Sequence, residues 1–77
     1  MPDASSAEIH AEASAAQVLE ALRALPHRQR DAVALRYYLE LSVPEIADTL
    51  GISSNSIKTH LQRGLRTMAH TLEEQRR

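Results

Sequence analysis

Apolar residues along this chain recur at steps of three and four, with no strand-like alternation, and the breaks between the runs carry serine, proline or glycine. That period is helical. Val18, Leu19, Leu22 and Leu25 form the first stripe, and Ser14 with Gln17 ahead of it matches a capping box, so a helix is expected from about Ala15 to Leu25. Pro26 ends it by biasing Leu25 away from the α region. From His27 to about Leu39, Ala32, Val33, Ala34, Leu35, Tyr37, Tyr38 and Leu39 cover most of a helical circumference, which predicts a helix packed between others at the centre of the core.

The third run is short and sharply bounded. Ser42 and Glu45 form a second capping box, Pro44 sits in the first turn where its missing N–H costs nothing, and Ile46, Ala47 and Leu50 share one side. Gly51 follows as the residue able to take the left-handed conformation that stops a helix. Ser53, Ser54 or Asn55 then caps a last helix whose buried side is set by Ile57, Leu61, Leu65, Met68 and Leu72, running to about Glu74. The pattern predicts an all-α fold: one small four-helix domain over residues 14–77 containing a helix-turn-helix. Residues 1–13, acidic and alanine-rich with Ile9 as the one large aliphatic, are expected to form a flexible linker.

Two helices joined this tightly mainly serve to present the second to a DNA groove. At about 100° per residue, Asn55, Ser56, Thr59, Gln62, Arg63 and Arg66 fall opposite the last apolar stripe, with Lys58 at the margin. This face has amides, hydroxyls and cations but no carboxylate. Lys58 and Thr59 are placed to hold phosphates, Asn55, Gln62 and Arg63 to reach base edges, and the helix start around Ser54 to Ser56 offers N–H groups to a phosphate. His60 flanks the same face within reach of a phosphate.

Composition narrows the alternatives. Seventy-seven residues permit one domain, and the 43% hydrophobic content is heavy in alanine with Tyr37 and Tyr38 as its only aromatics, so stability is expected to be marginal. A formal charge of −1 argues against a strong independent grip on nucleic acid. The average conceals a gradient: residues 1–25 carry a net −3, whereas residues 53–72 carry +3 with no acid. The absence of cysteine fits a reducing, cytoplasmic setting, and no apolar run approaches membrane-spanning length. His10, His27, His60 and His70 lack the spacing that closes around zinc, and no carboxylate pair, activated nucleophile or glycine-rich phosphate loop is present. Neither catalysis, a metal nor a cofactor is expected, and nothing supplies a dedicated dimer helix, so a monomer is expected.

Three ordered blocks carry a family resemblance. Leu25-Pro26-His27-Arg28-Gln29-Arg30-Asp31-Ala32-Val33-Ala34-Leu35-Arg36-Tyr37-Tyr38, then Leu41-Ser42 through Glu45-Ile46-Ala47 to Leu50-Gly51-Ile52-Ser53, then Ser56-Ile57-Lys58 and Arg63, together resemble region 4 of bacterial sigma factors of the extracytoplasmic-function group. The resemblance covers about residues 25–72. It implies a domain that reads the upstream (−35) promoter element with its last helix while docked on the β-subunit flap of RNA polymerase, with an anti-sigma factor as a further partner. Ser56, Lys58, Thr59, Gln62 and Arg63 are the positions it supports most directly. Full-length members also carry a region 2 domain that this sequence lacks, so an excised domain, or a sequence beginning inside the linker, is expected. Two departures stand out: Asn55-Ser56-Ile57 replaces the Gly-Thr-Val of many relatives, and His60 replaces an arginine. Ile57-Lys58-Thr59-His60 also resembles the LuxR-type response-regulator domain, the nearest rival, which the Arg36-to-Glu40 block and Arg63-Gly64-Leu65-Arg66 disfavour.

Overall fold

The computed structural model describes residues 14–75, which form four helices: α1 (Ala15–Arg23), α2 (His27–Tyr37), α3 (Val43–Leu50) and α4 (Ser54–Gln75). The expected linker over residues 1–13 and the charged end at residues 76 and 77 lie outside the described residues. Local chemistry accounts for each start. Ser14 Oγ accepts from the Gln17 N–H at 3.2 Å while Gln17 Oε1 accepts from the Ser14 N–H at 2.9 Å, and the same reciprocal box joins Ser42 and Glu45 at 3.2 and 2.7 Å. Pro26 holds the position ahead of α2 with φ −55°, and its carbonyl accepts from Arg30 N–H at 2.9 Å.

Helix α1 ends two residues earlier than its stripe suggests, yet Leu25 stays in the core from the turn beyond it, 4% exposed. Ala21, Leu22, Leu25, Ala32, Val33, Ile46, Ala47, Ile57, Leu61 and Met68 make one contiguous cluster, and no polar residue among those described is fully buried. Both α2 and α4 touch all the other helices, whereas α1 and α3 share no contact among the described residues. The core is thus a central α2–α4 pair flanked on either side, and α2 is not its sole centre.

The expectation of a helix to about Leu39, apolar over most of its circumference and packed between others, needs correction at its end. Helix α2 stops at Tyr37, and Tyr37, Tyr38 and Leu39 are 54%, 59% and 64% exposed. The fully buried residues of α2 are Ala32 and Val33, and a domain this small leaves a large share of its apolar surface uncovered. The reversal into α3 then runs through Glu40 at φ 57°, with Arg36 Nη1 donating to the Leu41 carbonyl at 2.9 Å and the Leu41 N–H to the Leu35 carbonyl at 3.1 Å.

The second capping box has a pH consequence. Hydrogen bonds from the Ser42 N–H, and then from its side chain, hold the Glu45 carboxyl below its ordinary value near 4.5. A depressed folded-state value means that the cap's contribution is complete above the unfolded carboxyl's range and is lost as pH falls through the lowered one. In a carboxyl-detected NMR titration, Glu45 is expected to titrate below the ordinary glutamate value, and Ser42→Ala is expected to bring it back up while shortening α3 by its first turn.

Candidate nucleic-acid interface

The helix pair that positions the candidate surface is α3, the turn Gly51-Ile52-Ser53, and α4. Gly51 adopts φ 72° and ψ 32°, and the N–H groups of Gly51 and Ile52 both reach the Ala47 carbonyl, at 2.8 and 3.2 Å. A side chain there would meet no steric neighbour within 4 Å, so glycine is required by its dihedral angle alone. Gly51→Ala is accordingly expected to lower stability by about 1–2 kcal/mol in urea denaturation, without altering the α3–α4 contact.

Of the three candidate caps, Ser53 is the one used: its Oγ accepts from the Ser56 N–H at 3.0 Å, and its hydroxyl donates to Ser56 Oγ at 3.0 Å. The Ser53 carbonyl takes the Ile57 N–H, so the N–H groups of Ser54 and Asn55 have no intrahelical partner, as at any helix start. The hydroxyl proton of Ser56 remains available to an acceptor. Thr59 differs, because its Oγ1 donates to the Asn55 carbonyl at 3.2 Å and only its lone pairs are left for solvent or ligand.

Burial separates the two sides of α4 cleanly. Ile57, Leu61, Gly64 and Met68 face the core, while Asn55, Lys58, Gln62, Arg63 and Arg66 are exposed. Ser54, Ser56 and Thr59 are half-buried along the same outer margin. Leu65, counted in the apolar stripe, is 39% exposed, whereas Leu61 and Met68 on either side of it are buried. His70 is exposed and pairs with Glu74 at 3.3 Å. His27 bridges Asp31 at 3.1 Å and Arg30 at 3.2 Å on the surface, and no group of three His, Asp or Glu side chains among the described residues could hold a metal.

Two features escape the linear pattern. Gly64 is buried in mid-helix, where an added Cβ would lie 2.9 Å from Val33 Cγ2, 3.4 Å from Gln29 Cβ and 3.5 Å from Leu25 Cδ1. It marks a close approach of α4 to α2 and its leading turn. A lone glycine inside a long helical pattern is the signal that flags it. His60, expected to flank the outer face, is the second: it is half-buried, with Nδ1 closed off from solvent and unpaired.

A family model described as Sigma-70, region 4 matches residues 15–68, from the first residue of α1 to the last fully buried residue of α4. The chain belongs to the sigma-70 region 4 family. It is 37% identical over 76 residues to the RNA polymerase sigma-E factor of Streptomyces avermitilis, covering 95% of this chain and 41% of that protein. It is 41% identical over 49 residues to the sigma factor SigV of Bacillus subtilis, covering 64% of this chain and 30% of that protein. The ECF sigma factor BldN of Streptomyces coelicolor is 39% identical over 64 residues, 83% of this chain and 24% of that protein. A chain in the structure of the RsbN–BldN complex superposes with a TM-score of 0.71 at 38% identity, over 82% of this chain and 46% of that chain. This sequence therefore spans less than half the length of these relatives. Because the match runs through all four helices, the LuxR-like tetrapeptide at Ile57 to His60 is a local similarity within a sigma domain. No helix of the described residues is long and apolar enough to cross a membrane.

Proposed function

We propose that this region 4 domain reads the −35 promoter element by laying α4 in the major groove while it is docked on the β-flap of RNA polymerase in the bacterial cytoplasm. The observation that carries the reading is the division of α4. One side is locked by Ile57, Leu61, Gly64 and Met68, and the other presents Asn55, Lys58, Gln62, Arg63 and Arg66 to solvent with no carboxylate between residues 53 and 72. Rigid seating of one side is what lets the other hold a fixed register against base edges. In this arrangement Lys58 and Arg66 meet phosphates, Gln62 and Arg63 reach bases, and the free N–H groups and hydroxyl at Ser54, Asn55 and Ser56 meet the backbone at the helix start. Thr59 serves as an acceptor or packing group, its proton being committed within the helix. Residues 14–77 act as the reading unit, and the role assigns no catalytic step.

Arg63→Ala is expected to weaken binding to the cognate duplex, with polymerase core present, by about 1–3 kcal/mol and to relax sequence preference at one position. Duplexes enriched from a randomised library supply the ligand. Equal affinity of the wild-type and variant chains across that library would refute the assignment.

A second reading is favoured by a separate observation. Tyr37, Tyr38 and Leu39 form an exposed apolar cluster at the end of α2, on a domain whose formal charge is only −1. Such a patch suits a protein partner, the polymerase flap or an anti-sigma factor, and can coexist with DNA contact through α4. Chemical-shift mapping separates the two: duplex DNA is expected to perturb Asn55 to Arg66, and a protein partner the stretch from Leu35 to Leu50.

A further inference from the structure

His60 is the one residue on the margin of the outer face whose two ring nitrogens occupy different environments. Nδ1 is shut off from solvent with no hydrogen-bond partner. His60 also lines an open hollow of about 220 Å³ with Ser53, Asn55, Ser56 and Thr59 at the start of α4, and with Nδ1 enclosed, Nε2 is the ring nitrogen able to serve that hollow. A neutral imidazole carries one N–H and one bare nitrogen. With the proton on Nδ1, the fold would bury an unpaired donor, a rarer and costlier state than an under-satisfied acceptor. With the proton on Nε2, the donor faces the hollow and only the bare nitrogen is enclosed.

We propose that His60 is a phosphate-binding residue of the DNA surface held in a single neutral tautomer, Nδ1 bare inside and Nε2–H aimed at a backbone phosphate oxygen. This rests on the reading of α4 as the DNA-facing helix. A phosphate is the fitting acceptor because the hollow collects donors: the unpaired helix N–H groups of Ser54 and Asn55, the Ser56 hydroxyl, and this Nε2–H. Gln62 and Arg63, suited to base edges, lie further along the helix. The consequence is physical and specific. Cations release counterions when they meet phosphate, whereas a neutral donor releases none, so His60 adds affinity that salt does not remove.

Ring nitrogen NMR on the free 77-residue chain near pH 8, where imidazole is neutral, is expected to show protonated Nε2 and bare Nδ1 at His60. A protonated Nδ1 would overturn the proposal, since it would mean a bond into the interior, where Gln29 Oε1 is, among the described residues, the other buried side-chain atom without a partner. Titration of library-selected duplexes between about 50 and 200 mM salt supplies the second arm. H60M is expected to lose about tenfold in affinity at every salt concentration with an unchanged slope. H60Q, whose amide nitrogen can stand in for Nε2–H, is expected to stay close to wild type, and K58M to reduce the slope by about 0.9. Circular dichroism melts establish that each variant is folded. H60M binding like wild type while Arg63→Ala binds weakly would sink this inference and leave the DNA reading standing. Failure of Arg63→Ala to weaken binding would remove both.

Discussion

Replacing Ile57 by alanine is expected to destabilise the domain by about 2–5 kcal/mol and to leave much of it unfolded at ambient temperature. Ile57 and Ile46 are the largest side chains that are completely enclosed, each 0% exposed, and they lie on the two helices of the helix-turn-helix. Removing the branched side chain forfeits its transfer energy and opens a cavity in the cluster that Ile57 shares with Ile46 and Ala47 of α3, which the surrounding helices can fill only in part. Small domains begin with little reserve, so a loss of this size is a large share of the whole. Ile57→Val, which removes one methylene, is expected to cost about 0.5–1.5 kcal/mol. Urea melts followed by circular dichroism measure both. An alanine variant as stable as wild type would show that the outer residues of α4 are not held by a packed inner side.

Gly64→Leu is expected to be similarly damaging for the opposite reason, overpacking, with a loss of about 3 kcal/mol or more. The first added atom already falls 2.9 Å from Val33 Cγ2, a β-branched side chain with little freedom at χ1, and 3.4 Å from Gln29 Cβ. Alanine is the informative intermediate. It brings a helix-propensity gain of about 1 kcal/mol, which the contact with Val33 offsets, so Gly64→Ala in the native background is expected to be neutral or destabilising. Combined with Val33→Ala, which removes the obstacle, the same change is expected to stabilise relative to Val33→Ala alone. That change of sign in a double-mutant cycle identifies the α2–α4 approach as the constraint. Because Arg63 adjoins Gly64, any Gly64 variant that folds with α4 pushed off α2 is also expected to bind DNA more weakly.

Much of this molecule was legible before any coordinates because its devices are local. Ser14 with Gln17, Ser42 with Glu45, and Gly51 each act within one helical turn, and the structure shows both boxes closed and the glycine left-handed. The outward placement of Lys58, Gln62, Arg63 and Arg66 followed from period alone. Choosing Ser53 over Ser54 or Asn55 as the cap did not, since all three offer an acceptor and the turn geometry after Gly51 selects among them.

The amino-acid order by itself determined that α1 and α3 start at capping boxes, that α3 stops at Gly51, and which side of α4 carries the cations and amides, because capping and periodicity are settled by neighbours three or four residues apart. Only the tertiary arrangement decided that Gly64 lies against Val33, that His60 hides one nitrogen and shows the other, and that Tyr37, Tyr38 and Leu39 stand in solvent. Those outcomes depend on which helix lies opposite and how closely it approaches, and contacts between residues distant in the chain have no period of their own.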